Sequence, residues 1–391
     1  MNVAYILHST SRFDGATKAF LLLLKGVQQL GVSPCIVLPD KKGVYQDLLS
    51  QGYDILCCPF RPNSYPHYRT WKEKLLFVPR LIARRVLNRR ARGIIMPFLV
   101  KNDVDIVHTN VGVVDVGFQA SRKLGIPHVY HIREYADRID INYYPSKVSF
   151  LHQLEQLGSF SICITKDIQS HYRQQNTETS VVIYDAILTG KADTQELPRE
   201  FAPRFFLFAG RLQPEKGLDF VLYAYAKYKL LTSHPLPLYV AGEACDALYY
   251  AKLQQIIKQE QLVSDVIFLG QRSDLDSLMR KAHAIVIAST FEGFGLCMPE
   301  AMLNDCLAVA RNNSGTREQL DNGLQLEGEE IALRFESIDE LAELLKQVGE
   351  KEKDAFIGIR EHAFHAVSTL YSPSKTASDV LEFYYKICNR Q

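Results

Sequence analysis

The sequence predicts an α/β fold of two similar doubly wound domains, each built on a parallel sheet. Three observations carry this. Short Val- and Ile-rich runs alternate with longer helical patterns along the whole chain. The alternation breaks once, in a polar stretch at residues 193–203 that carries Pro198 and Pro203, and then restarts. A length of 391 residues, 47% apolar and 23% charged, suffices for two or three ordinary globular cores. That composition excludes a mostly disordered, collagen-like or coiled-coil chain.

The elements follow in order. Residues 3–7 read as a strand, 17–30 as a helix ended by Gly31, and 33–38 as the next strand. Further strands are expected at 55–58, 105–108, 128–131, 161–165 and 181–184. After the polar stretch they recur at 205–209, 238–241, 266–269, 284–288 and 307–310, with helical patterns between. Strand, helix, strand at this spacing means parallel pairing through crossover helices. Ligands of such sheets bind at the carboxyl ends of the strands, here in a cleft expected between the domains.

Charge and cysteine usage bound the class. Lys and Arg total 45 against 44 Asp and Glu, a net +1 that gives no overall reason to expect a polyanion partner. The N-terminus lacks a basic region followed by a signal-length apolar run, and no apolar run approaches the ~20 residues of a membrane span. Eight scattered cysteines without a Cys-x-x-Cys pair suit free thiols in a reducing cytoplasm.

Two segments concentrate chemistry. The first, Gly210-Arg211-Leu212-Gln213-Pro214-Glu215-Lys216-Gly217, follows a strand and opens a helix at residues 218–230. Two cations five positions apart beside a helix N-terminus suit a diphosphate; the alternative is a solvated loop. The second runs from Ser289 to Ala301 and contains Glu292-Gly293-Phe294-Gly295-Leu296 and Pro299-Glu300. Pro299 suits the first position of a helix. Two carboxylates eight positions apart can accept paired hydrogen bonds from two hydroxyl-bearing parts of one ligand. Alternatively, Glu300 complements a helix dipole and Glu292 is solvated.

Together these segments resemble the retaining glycosyltransferases of family four. The resemblance rests on Gly-Arg-Leu-x-x-x-Lys-Gly at residues 210–217 and on the Glu-x7-Glu pattern at residues 292–301. It implies the GT-B architecture, two Rossmann-like domains facing across a cleft. An acceptor-side domain at 1–195 and a nucleotide-sugar domain at 204–372 are then expected, with a helix at 373–391 crossing back to the first. The resemblance implies that Arg211 and Lys216 hold the donor diphosphate, Glu292 contacts the transferred sugar and Glu300 the ribose. Gly210 and the amides of Phe294, Gly295 and Leu296 would line the donor. Gly315 and Glu318 match a further stretch near the donor, without a specific role.

In the first domain, the loop at residues 11–16 resembles the family's Gly-Gly loop, with Asp14 in place of the first glycine and Gly15 left to permit close approach. His131 resembles an acceptor-side histidine near the reacting sugar; a strand-end His is otherwise structural. Arg133 and Glu134, with His108 and Asn110 on another strand end, are acceptor-side candidates, and capping a turn is the other reading of the last two. Asp185-Ala186 stands where the family often has Asn-Gly, which adds a charge and removes a residue tolerant of positive φ. Gln271 and Arg272 follow a strand end near the expected base site. Asp103-Val104-Asp105 and Asp274-Leu275-Asp276 look like Asp-x-Asp metal motifs but read as structural, so no metal and no cofactor are expected.

One local feature hides in the net charge. Residues 61–101 hold eight Arg, three Lys and a single acid, Glu73, a net +10 that leaves −9 for the rest. Apolar residues from Trp71 to Leu87 are interleaved. An anionic membrane surface or lipid-linked acceptor fits this pattern; a helix packing its apolar side on the domain is the alternative. Nothing here resembles a nucleic-acid-binding motif.

The expectation is therefore a metal-independent, retaining hexosyltransferase-type enzyme using a nucleotide-diphosphate sugar and a glycan or lipid-linked acceptor. Its setting would be bacterial surface polysaccharide or glycoconjugate assembly, in the cytoplasm and peripherally on the inner membrane face. The alternatives are a nucleotide-sugar epimerase or hydrolase of the same fold, and a catalytically silent nucleotide-sugar-binding partner in an assembly complex.

Overall fold

A computed structural model describes residues 1–66, 71–138, 141–188 and 202–390. The chain forms two compact units, Met1–Ala186 with Pro373–Gln391, and Ile187–Ser372. Of the polar stretch at residues 193–203, all but Ala202 and Pro203 lies outside the described residues.

The first unit contains β1 Asn2–Ile6, β2 Ser33–Leu38, β3 Asp54–Cys57, β4 Ser64–Pro66, β5 Ile106–Thr109, β6 His128–Ile132, β7 Ile141–Tyr143, β8 Ser159–Cys163 and β9 Ser180–Val182. Seven of these form one parallel sheet in the order β3-β2-β1-β5-β6-β8-β9, while β4 and β7 pair antiparallel by themselves. The second unit contains β10 Phe206–Ala209, β11 Leu238–Ala241, β12 Val266–Gly270, β13 Ala284–Ile287, β14 Ala308–Arg311 and β15 Leu333–Phe335. Its order, β12-β11-β10-β13-β14-β15, is the Rossmann arrangement, and the first sheet repeats it with one strand added. The α/β class with two parallel sheets is thus the observed one.

The strands lie within a residue or two of the expected positions. The first helix starts earlier than its apolar period suggests, at Gly15, because Asp14 caps it: Thr17 N donates to Asp14 Oδ2 at 2.9 Å. Alternation along β1 sends Val3, Tyr5 and Leu7 to one face, where they meet Phe20, Leu23 and Val27 of that helix. The helix Pro373–Cys388 completes this core with Ala377, Val380, Phe383, Tyr384 and Ile387. In the second unit Phe206, Phe208, Val240 and Val286 pack with Leu218, Val221, Leu222 and Tyr225 of the Leu218–Leu231 helix. Among the described residues no helix is long and apolar enough to cross a membrane.

Phe383 is 4% exposed within the first core. Phe383→Ala is expected to destabilise that unit by about 3–5 kcal/mol, seen as an earlier transition in a urea titration of the full chain. An unchanged transition would show that the C-terminal helix adds nothing to this core.

Candidate active site

The strand order of the second unit reverses between β10 and β13, which pair although β11 and β12 intervene in sequence. Helices leave to opposite faces at such a reversal, which opens a crevice at the carboxyl ends. Both sequence motifs fall there: residues 210–217 follow β10 and residues 288–296 follow β13.

The two loops are joined by short contacts. Thr290 N donates to the Glu215 carbonyl at 2.8 Å, and Cys297 Sγ to the Ala209 carbonyl at 3.4 Å. Gly217, at φ +72°, backs onto Ala288 so closely that a Cβ would lie 2.2 Å from its carbonyl oxygen. This approach brings Lys216 Nζ to 2.6 Å from Glu292 Oε1, which also accepts from Ser289 Oγ at 2.7 Å. Arg211 stays exposed on the same loop, while the adjacent Leu212 is buried.

A third loop, after β14, braces the second. Asn313 Nδ2 donates to the carbonyls of Ser289 and Thr290, each at 3.0 Å. Gly315 N donates to the Glu292 carbonyl at 3.2 Å, and a Cβ on Gly315 would meet the Gly293 carbonyl oxygen at 2.5 Å. Gln319 Nε2 donates to the Phe294 and Gly295 carbonyls. Sequence reasoning missed Ser289, Asn313 and Gln319, because polar side chains that bond to a backbone carry no spacing signature. Phe294 is buried with its ring edge-to-face on Tyr371, the centroids 5.0 Å apart, so its side chain packs, whatever its amide does. Pro299 is the third residue of the Cys297–Leu303 helix, not the first. Its missing N–H costs nothing there, since the first four helical amides lack intrahelical acceptors. Glu300 follows, half-buried in the first turn, and Glu318 is half-buried on the Ser314–Glu327 helix.

In the first unit the order reverses between β1 and β5. His8 Nε2 at the end of β1 lies 3.5 Å from Asp14 Oδ2. Asp14 thus serves as helix cap and His8 neighbour, and Gly15 is the first helical residue. Asn110 is fully buried and donates from Nδ2 to the Ala16 carbonyl at 2.9 Å, tying the end of β5 to that helix.

His108 and His131 are both buried, so His108 does not stand open on the strand-end rim. Its Nδ1 is 2.5 Å from Tyr384 Oη, which neighbours Tyr5 Oη at 3.2 Å. His108 Nε2 is 3.1 Å from His131 Nδ1. Arg133 Nη2 also lies 3.1 Å from His131 Nδ1. A guanidinium only donates, so His131 Nδ1 accepts and the ring proton sits on Nε2. Burial first, and then the Arg133 charge, hold both imidazoles well below their usual pKa, so both are neutral. His131 Nε2 is closed to solvent and has no hydrogen-bond partner; the nearest acid, Asp185 Oδ1, is 3.9 Å away. Asp185 pairs with Arg133 Nη1, so its charge is answered inside the unit, and Ala186 takes no left-handed backbone. Glu134 Oε1 is closed to solvent, and burial raises its pKa to about 7 despite the adjacent Arg133.

The Asp-x-Asp stretches are engaged locally. Asp105 Oδ2 accepts from Asn2 N at 2.7 Å, Asp274 accepts twice from Arg272 at 2.8 and 2.6 Å, and Asp276 accepts from Asn304 at 3.2 Å. Arg272, considered near the base site, is thus held by Asp274. Among the described residues no three His, Cys, Asp or Glu side chains gather as a metal site.

Residues 191–357, within the second unit, match the family described as "Glycosyl transferases group 1". The chain is 26% identical over 265 residues to an uncharacterized glycosyltransferase of Methanocaldococcus jannaschii, covering 64% of this chain and 70% of that one. It is 29% identical over 194 residues to the uncharacterized glycosyltransferase YqgM of Bacillus subtilis, and that match spans about half of each protein, 50% and 52%. In fold it is similar to Anabaena HepE, solved in complex with UDP and glucose, with a TM-score of 0.76 at 20% identity over 98% of this chain and 99% of that one. The two-domain GT-B fold is therefore shared.

Glu134 gives a signed pH test. Its carboxyl, at about 7 when folded, ionises near 4.3 when unfolded. Between these values the folded chain binds the extra proton, so wild-type stability falls as pH rises. Glu134→Gln should flatten this part of the profile and gain about 2–3 kcal/mol on the wild type from pH 4.5 to 7.5. Parallel denaturant titrations at the two pH values check it, and a constant difference would overturn the assignment.

Proposed function

We propose that this chain, whose second unit matches the group 1 glycosyl transferases, moves a sugar from a nucleotide-diphosphate sugar to an acceptor hydroxyl. The observation that carries the reading is the meeting of the β10 and β13 loops, where Lys216 Nζ lies 2.6 Å from Glu292 Oε1. One cation and one carboxylate there match the two ends of the donor's reacting bond. Arg211 and Lys216 stabilise the departing diphosphate, the largest electrostatic contribution in such reactions. Glu292 accepts from the sugar hydroxyls and Glu300 from the ribose. Gly210 and the Phe294, Gly295 and Leu296 backbone line the donor. UDP and glucose bound by HepE support a uridine donor and a hexose.

The finer reading is family four and retention of anomeric configuration. In this reading no residue is assigned as a separate nucleophile, and the leaving phosphate accepts the acceptor's proton on the same face. Charge stabilisation is assigned to Arg211 and Lys216 rather than to a divalent metal, and local engagement of both Asp-x-Asp stretches supports that. The first unit takes the acceptor. His131, neutral with its Nε2–H unpartnered, donates to a sugar hydroxyl, while Arg133 holds its Nδ1 and His108 supports the ring. Glu134 and Asn110 shape the same strand-end region, and Gly15 the first helical turn. A glycan or lipid-linked acceptor of surface polysaccharide assembly suits the basic stretch of residues 61–101, as does a peripheral membrane location.

Lys216→Ala and Arg211→Ala should each lower turnover by about 10²–10³ with the thermal transition preserved. Glu300→Ala should raise the donor KM more than it lowers kcat. Near-normal rates in both cation variants would sink the diphosphate assignment. A thermal-shift screen with nucleoside diphosphates and their sugars identifies the donor. Incubation with donor alone separates transfer from epimerisation or hydrolysis, and binding without turnover across an acceptor panel would favour the silent partner.

A further inference from the structure

The basic stretch resolves into a helix with two different faces. The Phe77–Lys101 helix buries Asn88, Ala91, Ile95, Phe98 and Leu99 in its C-terminal half. Asn88 fixes it to the unit, accepting from Arg61 N and donating to the Arg61 carbonyl, both at 2.9 Å. The N-terminal half is different. Val78, Ile82 and Val86 recur every four residues and are 57%, 56% and 46% exposed, and Leu75, which ends the preceding helix, is 70% exposed. Trp71, four residues earlier in the Trp71–Leu75 helix, is 70% exposed.

At 3.6 residues per turn, Val78, Ile82 and Val86 fall on one strip of the surface. Arg85 lies about 60° to one side of it and Arg90 about 80° to the other, with Arg89 nearly in line. Lys74, Arg85, Arg89 and Arg90 are all exposed. A scatter of exposed apolar residues is ordinary. A row of them along one helix, bordered by cations, is the arrangement of a helix lying in a membrane interface. Long basic side chains at its margins extend their charges to the headgroups. The charge is also local: residues 61–101 carry eight Arg, three Lys and one acid within a chain of net +1. The remainder is net negative, so an anionic surface attracts this helix and repels the rest.

We propose that the segment from Trp71 to Arg90 docks on bilayers containing anionic phospholipid, with the Val78–Ile82–Val86 strip at the acyl boundary and the cations among the headgroups. The proposal deepens the acceptor part of the proposed function by bringing the chain to a lipid-linked substrate. It does not depend on the transferase activity.

The chain has one tryptophan, Trp71, which makes the test direct. Full-length protein is mixed with vesicles of phosphatidylcholine alone, or with phosphatidylglycerol added, and followed by Trp71 emission and co-sedimentation. Emission should shift to shorter wavelength and protein should sediment only with the anionic vesicles, and salt should reverse both. Arg89→Ala with Arg90→Ala should weaken partitioning about 30-fold, from ~1 kcal/mol per basic residue. Ile82→Asp with Val86→Asp should abolish the emission shift. Thermal melts and nucleotide-sugar binding of both variants should match the wild type, which separates failure here from failure of the transferase reading. Equal binding to neutral vesicles, an unshifted Trp71, or retained binding by either variant would overturn the proposal. So would equally tight binding to a duplex RNA that the aspartate variant leaves intact.

Discussion

Parallel strands cannot be joined by tight turns, and the loops that carry the two sequence motifs both sit at a strand's carboxyl end. Where the strand order reverses, neighbouring loops belong to strands far apart in sequence and can converge. At β10 and β13 the convergence is close enough to require glycine at position 217, because any side chain would strike the Ala288 carbonyl. The rest of the second site depends on that packing. It sets Lys216 against Glu292, and the β14 loop then locks the arrangement through Asn313, Gly315 and Gln319.

The first unit uses the same topology for a different environment. Its strand ends hold a closed chain of polar groups, Tyr5, Tyr384, His108 and His131, with Arg133 and Asp185 beside it. Neutral imidazoles are the state that such burial permits. The Arg133–Asp185 pair removes the difficulty that an acid at position 185 raised in the sequence: the charge is matched within the unit. One donor, His131 Nε2, is left over. A buried donor without a partner is costly.

The legibility of this fold was uneven for physical reasons. Buried parallel strands are continuous apolar runs, so twelve candidate strands were readable within a residue or two. β15, three residues with a central Arg334, and the β4–β7 pair carry no such run and were missed. The two loop motifs were readable because their cations, glycines and carboxylates recur at a fixed spacing. The braces behind them were not, since Asn313 and Gln319 act on backbone atoms, which any sequence supplies. His108 shows the opposite error: a strand-end histidine looked open to a ligand, and only the distant Tyr384, arriving from the last helix, closes it off. The basic stretch was legible as charge, but which of its apolar residues are buried needed the fold.

That last helix also sets an order of events during synthesis. The second unit is one continuous segment, Ile187–Ser372, and every residue of its core is made before Pro373. The first unit begins at Met1 yet cannot close until Phe383, Tyr384 and Ile387 have left the ribosome. Domains usually mature in the order they are translated. Here the half made first is finished last, and its apolar sheet face and the buried His108 wait, exposed, for the final sixteen-residue helix.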